Sequence, residues 1–489
     1  MDIWVKPKGL DSAVSAREDC GHLLYVRGFQ LTRDRDRSLP EHWNTRSIRD
    51  CWLAWDSRSD AAFVVDGEVS VAILGSVYHL GLRTSDIASI AVDLHRARSR
   101  GVDHFDRRAQ MLSGRYVLVD GSGEGIYLHS DATGMRSVYY CTVGGVAASH
   151  ARLVATLIGD ERRSTFGAPG WFRETGARAI PGRRSEYESV SMLTPNTKVE
   201  IRTGEVARIA SASRGDERSS EEIASEIIPL VHSQFEALVS RSNVLMSLTA
   251  GLDSRTTLAM ARPVASSLRF FSYVTRRPGK PSPSEPDMLF AQGLCEDLGL
   301  DFQEVVVDTI LGRGPLMQVM RSNSARIHVP SIAAAYMQQL PSDSVHVRSN
   351  LYEIGRALIR GRSRGRVIAP LNAREVARRV AGNSHHDSFE HSVTASAEWL
   401  DITGFSGEKH YDELDLYYWE LLMGKWLPAV MIESDVAHDT YTVINSRHII
   451  DLMLCAPLAE RLEGGVAKAI IEIGWPELLD YPINGHKMQ

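Results

Sequence analysis

Lysine is scarce in this chain of 489 residues. Only eight of its 55 basic residues are lysines (Lys6, Lys8, Lys198, Lys280, Lys409, Lys425, Lys468 and Lys487), so a reaction that needs a catalytic lysine has few candidates. Cysteine is rarer still. Cys20, Cys51, Cys141, Cys295 and Cys455 are far apart and odd in number, with no CxxC pair or Cys/His cluster, which argues against a disulfide framework or structural zinc. An excess of positive charge is absent as well. Lys+Arg 55 against Asp+Glu 61 gives a net charge of -6, which is not the balance of a dedicated nucleic-acid binder, though it leaves room for a local basic patch. No run approaches the ~20 apolar residues of a membrane helix. The N-terminus has neither a charged region leading into an apolar one nor a cleavage signal. A soluble cytoplasmic protein is expected, with no nucleic-acid or membrane partner. What remains is ordinary globular composition, 43% hydrophobic and 24% charged, in a chain long enough for two or three domains.

Residues up to about 210 read as β-rich. Aliphatic and aromatic runs at 61–66, 70–74, 115–120, 125–129 and 137–142 are bounded by Gly, Asp and Ser, as strands are. A helix is expected over 85–101, with Ile87, Ile90, Ala91 and Leu94 on one face. A strand pair is expected at 197–202 and 206–210. The polar stretch 211–220 (SASRGDERSS) is the clearest boundary, and Ser219 with Glu222 forms a capping box for the next helix, in which Pro229 would introduce a kink. Strand 243–248, helix 254–261, strand 268–274, helix 287–298 and strand 302–307 then alternate, the rhythm of a parallel sheet with right-handed crossovers. From about Leu316 the chain reads as mostly helical.

The most informative segment is NVLMSLTAGLDSRTTL, 243–258. An apolar strand runs into Thr249-Ala250-Gly251-Leu252-Asp253-Ser254 and then a helix. Small residues admit a phosphate close to the backbone, and a helix N-terminus offers unpaired N–H groups. The hydroxyls of Thr249 and Ser254 add donors. Asp253 would repel an anion unless it held a cation, so it reads as a Mg²⁺ ligand bridging to phosphate. The competing reading is an ordinary strand–turn–helix connection with a capping Asp or Ser. The loop resembles the SGGxDS pyrophosphate loop of the adenylating ATP-pyrophosphatase superfamily, with Thr249 and Ala250 in place of Ser and Gly.

The whole chain resembles the asparagine synthetase family. Gly75-Ser76-Val77-Tyr78 is similar to its GEIYN segment, Leu112-Ser113-Gly114-Arg115-Tyr116 to its LxGxF strand, and Asp131 through Tyr140 to its RDxxGxxPLYY hairpin, with Ala148-Ser149 following. Asp287 matches the helix after the second strand, and Asn445-Ser446-Arg447 resembles the ExRxPF segment. The resemblance implies an α+β half, residues 1–210, built as a glutaminase-like β-sandwich of αββα layers. A linker at 211–222 would follow, then an α/β half at 223–489 with an adenine-nucleotide α-hydrolase-like parallel sheet and a helical C-terminal part.

Two departures qualify what the resemblance implies. Glutaminases of the family use a cysteine at residue 2, where this chain has Asp2, and the first cysteine is Cys20; glutaminase activity is therefore expected to be absent. The family's SGEGxDE loop corresponds to 347–356, VRSNLYEIGR, shorter and poorer in glycine. Glu353 there is the expected second Mg²⁺ or pyrophosphate-side carboxylate, or a base for the incoming amine, with Tyr352 beside it. Arg348, Ser349 and Arg356 are expected on the pyrophosphate. A helix glutamate exposed to solvent is the competing reading of Glu353. The family's C-terminal lysine maps to Lys487, with Lys468 and Lys425 as substitutes. Ser247, Thr249, Ala250, Gly251, Leu252, Asp253 and Ser254 complete the expected ATP site.

The function this implies is adenylation of a carboxylate by MgATP followed by attack of an amine, forming an amide and releasing AMP and pyrophosphate. Without glutamine-derived ammonia, the branch resembled is that of β-lactam synthetases and lasso-peptide cyclases, in biosynthesis of a specialised metabolite or a modified peptide. Small-molecule ligation and peptide macrolactam closure both stay open, as does a catalytically inactive ATP-binding scaffold. Oligomeric state is not readable.

Overall fold

The computed structural model describes residues 2–6, 20–35, 39–210, 215–276, 282–308, 314–325, 328–363 and 369–483. Lys487 lies outside them, as does the 211–214 part of the expected linker. Among the described residues, the first 210 positions give thirteen strands: β1 (Asp2–Lys6), β2 (Phe29–Thr32), β3 (Trp43–Ile48), β4 (Cys51–Asp56), β5 (Ala61–Asp66), β6 (Val69–His79), β7 (Leu112–Ser122), β8 (Gly125–Ser130), β9 (Tyr139–Cys141), β10 (Val146–Ala148), β11 (Val190–Met192), β12 (Thr197–Glu200) and β13 (Val206–Arg208). They form two antiparallel sheets, ordered β1-β5-β6-β7-β8-β12-β13 and β11-β9-β10-β2-β4-β3.

Alternation along these strands places one apolar face between the sheets and the other outward. Phe29, Leu31, Leu53 and Trp55 of one sheet meet Phe63, Leu74, Val117 and Val119 of the other in a shared core. On the outside, helix Ile87–Arg98 lays Ile87, Ile90, Ala91 and Leu94 on Val64, Val71 and Ile73, the face its spacing predicts. Helix Ala151–Leu157 covers the other sheet through Leu153 and Val154. The layering is helix, sheet, sheet, helix. The strand expected at 70–74 runs on to His79, because Gly75, at φ +109°, continues the ladder where a Cβ would come within 2.4 Å of the Arg115 carbonyl. Residue 2, where the family nucleophile would stand, pairs with Val65 at the sheet edge.

Helix Ser220–Val239 opens on the expected capping box, with Ser219 and Glu222 each accepting from the other's backbone, and passes Pro229 without ending. The parallel sheet follows: β14 (Asn243–Ser247), β15 (Leu268–Arg276), β16 (Asp301–Asp308), β17 (Ser344–Val347) and β18 (Asp439–Tyr441), in the order β16-β15-β14-β17-β18. The central strand is buried on both faces, with Val244 and Met246 in one core and Leu245 in the other. Strands β17 and β18 interrupt the C-terminal part expected to be mostly helical. They are short and carry few apolar residues, and tertiary pairing rather than pattern makes them strands. No helix among the described residues is long and apolar enough to cross a membrane.

Candidate active site

The carboxyl end of β14 leads through Leu248, buried and bonded to the Phe271 carbonyl, into the 249–251 turn. The following helix is Leu252–Ala261, with Gly251 at its N-cap in extended conformation. Leu252, Asp253 and Ser254 are therefore first-turn residues, two positions earlier than the sequence spacing suggests. The turn holds itself. The Ser254 hydroxyl donates to the Thr249 carbonyl at 2.9 Å, and the Thr249 and Gly251 N–H groups donate to the Ser254 and Thr249 hydroxyls at 3.2 Å. The two hydroxyls expected to serve a phosphate thus serve the loop in this state. Ala250 N–H donates to Asp287 Oδ1 at 3.0 Å, which ties the loop to helix Glu285–Leu298. Gly251 has no side chain to cap the helix, so the anion-binding character of this N-terminus rests on backbone groups.

Beside it, at the carboxyl end of β17, the chain makes the short helix Tyr352–Gly355 between Leu351 at φ +85° and Ala357 at φ +47°. Two non-glycine residues in the left-handed region within seven positions is backbone strain of order 1–3 kcal/mol each, of the kind that gathers at functional sites. The strained turn is held from both sides. Tyr352, buried, bonds through its hydroxyl with Thr257 Oγ1 at 2.8 Å, one helical turn beyond Asp253. Arg461, anchored on Asp415 at 2.7 Å, donates to the carbonyls of Gly355 at 2.8 Å and Ile354 at 3.4 Å. Gly464, at φ +74°, lets the next helix pass Leu252, whose Cδ2 would lie 3.2 Å from an added Cβ.

This bracing sets Glu353 near Asp253. Arg356 Nη2 donates to Asp253 Oδ2 at 3.0 Å. Asp253 Oδ1 and Glu353 Oε2 are buried and have no hydrogen-bond partner among the described residues. Burial pushes the Asp253 carboxyl up to about 7; Arg356 pulls it down and the neighbouring Glu353 pushes it further up. The structure therefore brings together Asp253, Tyr352, Glu353 and Arg356. Ser349 Oγ, between β17 and the strained turn, is also buried without a partner. Arg348 belongs to other surroundings: its N–H donates to the Tyr441 carbonyl at 2.9 Å, and desolvation holds its guanidinium below its usual pKa.

The lysine substitutes also separate. Lys425 donates to the carbonyls of Gly182 at 3.0 Å and Arg184 at 2.8 Å, against the first half of the chain. Lys468 lies on helix Gly465–Gly474, which packs on the helix carrying Asp253. Cys20 starts a single 3-10 turn, Cys20–Leu23, packed on Leu23, Val26 and Met320.

A divalent cation can be tested against these residues. Two carboxylates that share a desolvated neighbourhood, each with an oxygen lacking a partner, fit a Mg²⁺ ion. Among the described residues no group of three or more His, Cys, Asp or Glu could hold a metal, so the protein side supplies Asp253 and Glu353 only. The void behind Tyr352, Gly355 and Arg356 is about 10 Å³, far too small for a nucleotide, which would have to lie over the loop instead. A larger cavity of about 220 Å³, lined by Trp171, Glu174, His386, Ser388 and His391, shares no residue with the carboxylate pair. The carboxylate pair lies at the loop and not in this cavity, which is lined by the N-terminus of helix Phe389–Ile402.

No family model and no curated protein matches the sequence. Among solved structures, the chain is similar to the glutamine-dependent NAD+ synthetase from Acinetobacter baumannii in complex with ADP (12% identity, TM-score 0.21, 34% of this chain and 31% of that one). It is also similar to NMN synthetase from Francisella tularensis (12%, TM-score 0.20, 45% and 94%) and to glutamine phosphoribosylpyrophosphate amidotransferase from B. subtilis (12%, TM-score 0.21, 69% and 72%). The chain thus spans about a third of the length of that NAD+ synthetase. At such scores these likenesses decide nothing about chemistry, and the resemblance to the asparagine synthetase family rests on the motifs themselves.

Three residues that shape the site were not singled out for it from sequence: Arg461, Gly464 and Arg255. Only Arg255 carries a visible signal, since it follows Ser254 directly in the loop motif.

Proposed function

We propose that the protein forms an amide bond at the expense of ATP. A substrate carboxylate displaces pyrophosphate from ATP to give an acyl-adenylate, and an amine then displaces AMP. The observation that carries the reading is the carboxylate pair of Asp253 and Glu353. It sits at the carboxyl ends of two adjacent parallel strands, where open α/β sheets bind ligands, and each member has a buried oxygen without a partner. Mg²⁺ held by Asp253 and Glu353 would neutralise charge on the pyrophosphate. The chain's own groups do the rest. Backbone N–H groups of the first turn after Gly251 bind phosphate, Arg356 moves from Asp253 to an anion as the carboxylate takes a cation, and Tyr352 braces Glu353 in place through Thr257. Such a reaction depends chiefly on positioning and electrostatics. In this reading residues 1–210 are a degenerate glutaminase-like domain, 223–489 the synthetase part, and Lys487 the cation on developing negative charge.

The test is carboxylate-dependent ATP–pyrophosphate exchange over a panel of amino acids and peptides. Exchange that requires one carboxylate and falls at least 100-fold in Asp253→Asn is expected. No exchange, together with no Mg-dependent ATP binding by calorimetry, would overturn the enzyme reading. The second reading, a catalytically silent scaffold, draws support from the Arg356–Asp253 pair and from loop hydroxyls bonded within the loop. It predicts that the Asp253→Asn variant binds ATP as the unaltered chain does.

A further inference from the structure

Arg255 is fully buried, and no carboxylate among the described residues pairs with it. Its Nη1 donates to the carbonyls of Tyr481 at 2.7 Å and Leu478 at 3.3 Å, and its Nη2 to the carbonyls of Pro482 and, at 3.3 Å, Ala250. The guanidinium lies 4.5 Å over the Phe290 ring, and its Nε has no partner among the described residues. Arg98, Arg115 and Arg461, also buried, are paired with Asp120, Asp435 and Asp415, whereas buried Arg136 and Arg447, like Arg255, donate to carbonyl, hydroxyl or amide oxygens. A buried cation that touches only carbonyl dipoles and a ring face is costly. One of its carbonyl partners, Ala250, belongs to the loop, and the N–H of the same residue is held by Asp287. The other three lie in the C-terminal stretch 478–482.

We propose that Arg255 is a positioning residue that couples anion occupancy of the 249–254 loop to docking of the C-terminal segment 476–483. The inference rests on the nucleotide reading of the loop. A polyphosphate over the first turn is the counter-charge that Arg255 lacks, so its arrival strengthens the fork that grips Ala250 on one side and residues 478–482 on the other. By linkage, docking of the segment raises the loop's affinity for the anion by the same factor. A lysine at this position would keep the charge but not the planar fork that reaches four carbonyls.

The experiment is hydrogen exchange of the peptide covering 476–483, with and without saturating Mg-ATP, alongside calorimetry of Mg-ATP binding. In the unaltered chain, exchange is expected to slow at least fivefold on ATP. Arg255→Lys is expected to lose the ATP-linked slowing and to weaken the ATP Kd by the same factor, about fivefold. Arg255→Met is expected to weaken Kd at least tenfold and speed exchange without nucleotide. Glu477→Gln breaks only the exposed contact to Arg262 on the same segment and should retain the slowing. ATP bound with exchange unchanged in the unaltered chain overturns the coupling alone, and so does full slowing in Arg255→Lys. Absence of ATP binding by the unaltered chain overturns the nucleotide reading and the coupling with it.

Discussion

Burial decides what Lys425 can do. Its ammonium is pushed down to about 7, desolvation outweighing the opposing Glu186, while the same group in an unfolded chain titrates near 10.5. Between about 7 and 10.5 the unfolded chain therefore binds more protons than the folded one. Stability gains with rising pH across that window, and the full cost of the buried charge is present below it. Lys425→Met removes the titrating group, so the Tm difference between variant and unaltered chain should fall steadily from pH 6.5 to 9.5. Parallel Tm–pH curves in scanning calorimetry would contradict this. Other residues that fall in the family-like motifs have packing reasons. Gly114, at φ +116°, accommodates the Tyr441 ring, whose Cε2 would lie 2.8 Å from an added Cβ. Asp131 accepts from the N–H groups of Thr133, Met135 and Arg136 and from Asn445, which ties its turn to the C-terminal half. Spacing reveals such positions but not the partner that makes them necessary.

At the scale of elements, the strand–loop–helix unit at 243–261 was legible because its apolar run, small residues and helix start are all local. Its support was not, since Asp287 is 37 positions from Ala250. A hydrogen bond to a charged group contributes about 1.5–3 kcal/mol. Asp287→Ala is accordingly expected to raise the ATP KM in the exchange assay about tenfold or more, with a Tm shift of a few degrees. An unchanged KM would mean that the Ala250 peptide needs no clamp. The turn at 348–357 reads from sequence as glycine-poor, which cast doubt on its equivalence to the family loop. In the structure Leu351 and Ala357 take the left-handed conformation that glycine would adopt without strain. Ala357→Gly is expected to raise stability slightly, by roughly 1 kcal/mol. Urea unfolding measures it, and a destabilised variant would show that the strain is not relieved by glycine.

At the scale of the whole molecule, polar contacts join the antiparallel sheets to the helical stretch that leads into β18. Arg115 of β7 makes a bidentate pair with Asp435 just before β18, Arg208 of β13 does the same with Glu420 at 2.7 and 3.0 Å, and Trp419 Nε1 donates to the Ala132 carbonyl at 2.8 Å. Breaking a buried pair on one side costs about 3–5 kcal/mol, because the other charge is stranded, whereas replacing both sides by apolar groups costs far less. Asp435→Asn should lower stability by about that amount in urea unfolding, and the double variant Arg115→Met/Asp435→Leu should recover more than half of it. Additive losses would show that the two residues act independently. These contacts also give the first half a role that does not require a glutaminase: it packs against that helical stretch and satisfies its buried charges.

Strand alternation, helix faces and the capping box at Ser219 follow from local pattern, and so does the loop motif with Asp253. Short-range sterics and one-sided burial act within a few residues, so the sequence by itself determined those elements and their order. Strands β17 and β18, the nearness of Glu353 to Asp253, the retreat of Arg348 from that pair and the grip of Arg255 on 478–482 were decided only in the tertiary structure. Each depends on groups brought together across a hundred or more positions, or on a short segment whose backbone finds its partner only in the packed sheet. No spacing rule encodes which of many buried polar groups will be left without a neighbour, and those groups define the candidate site.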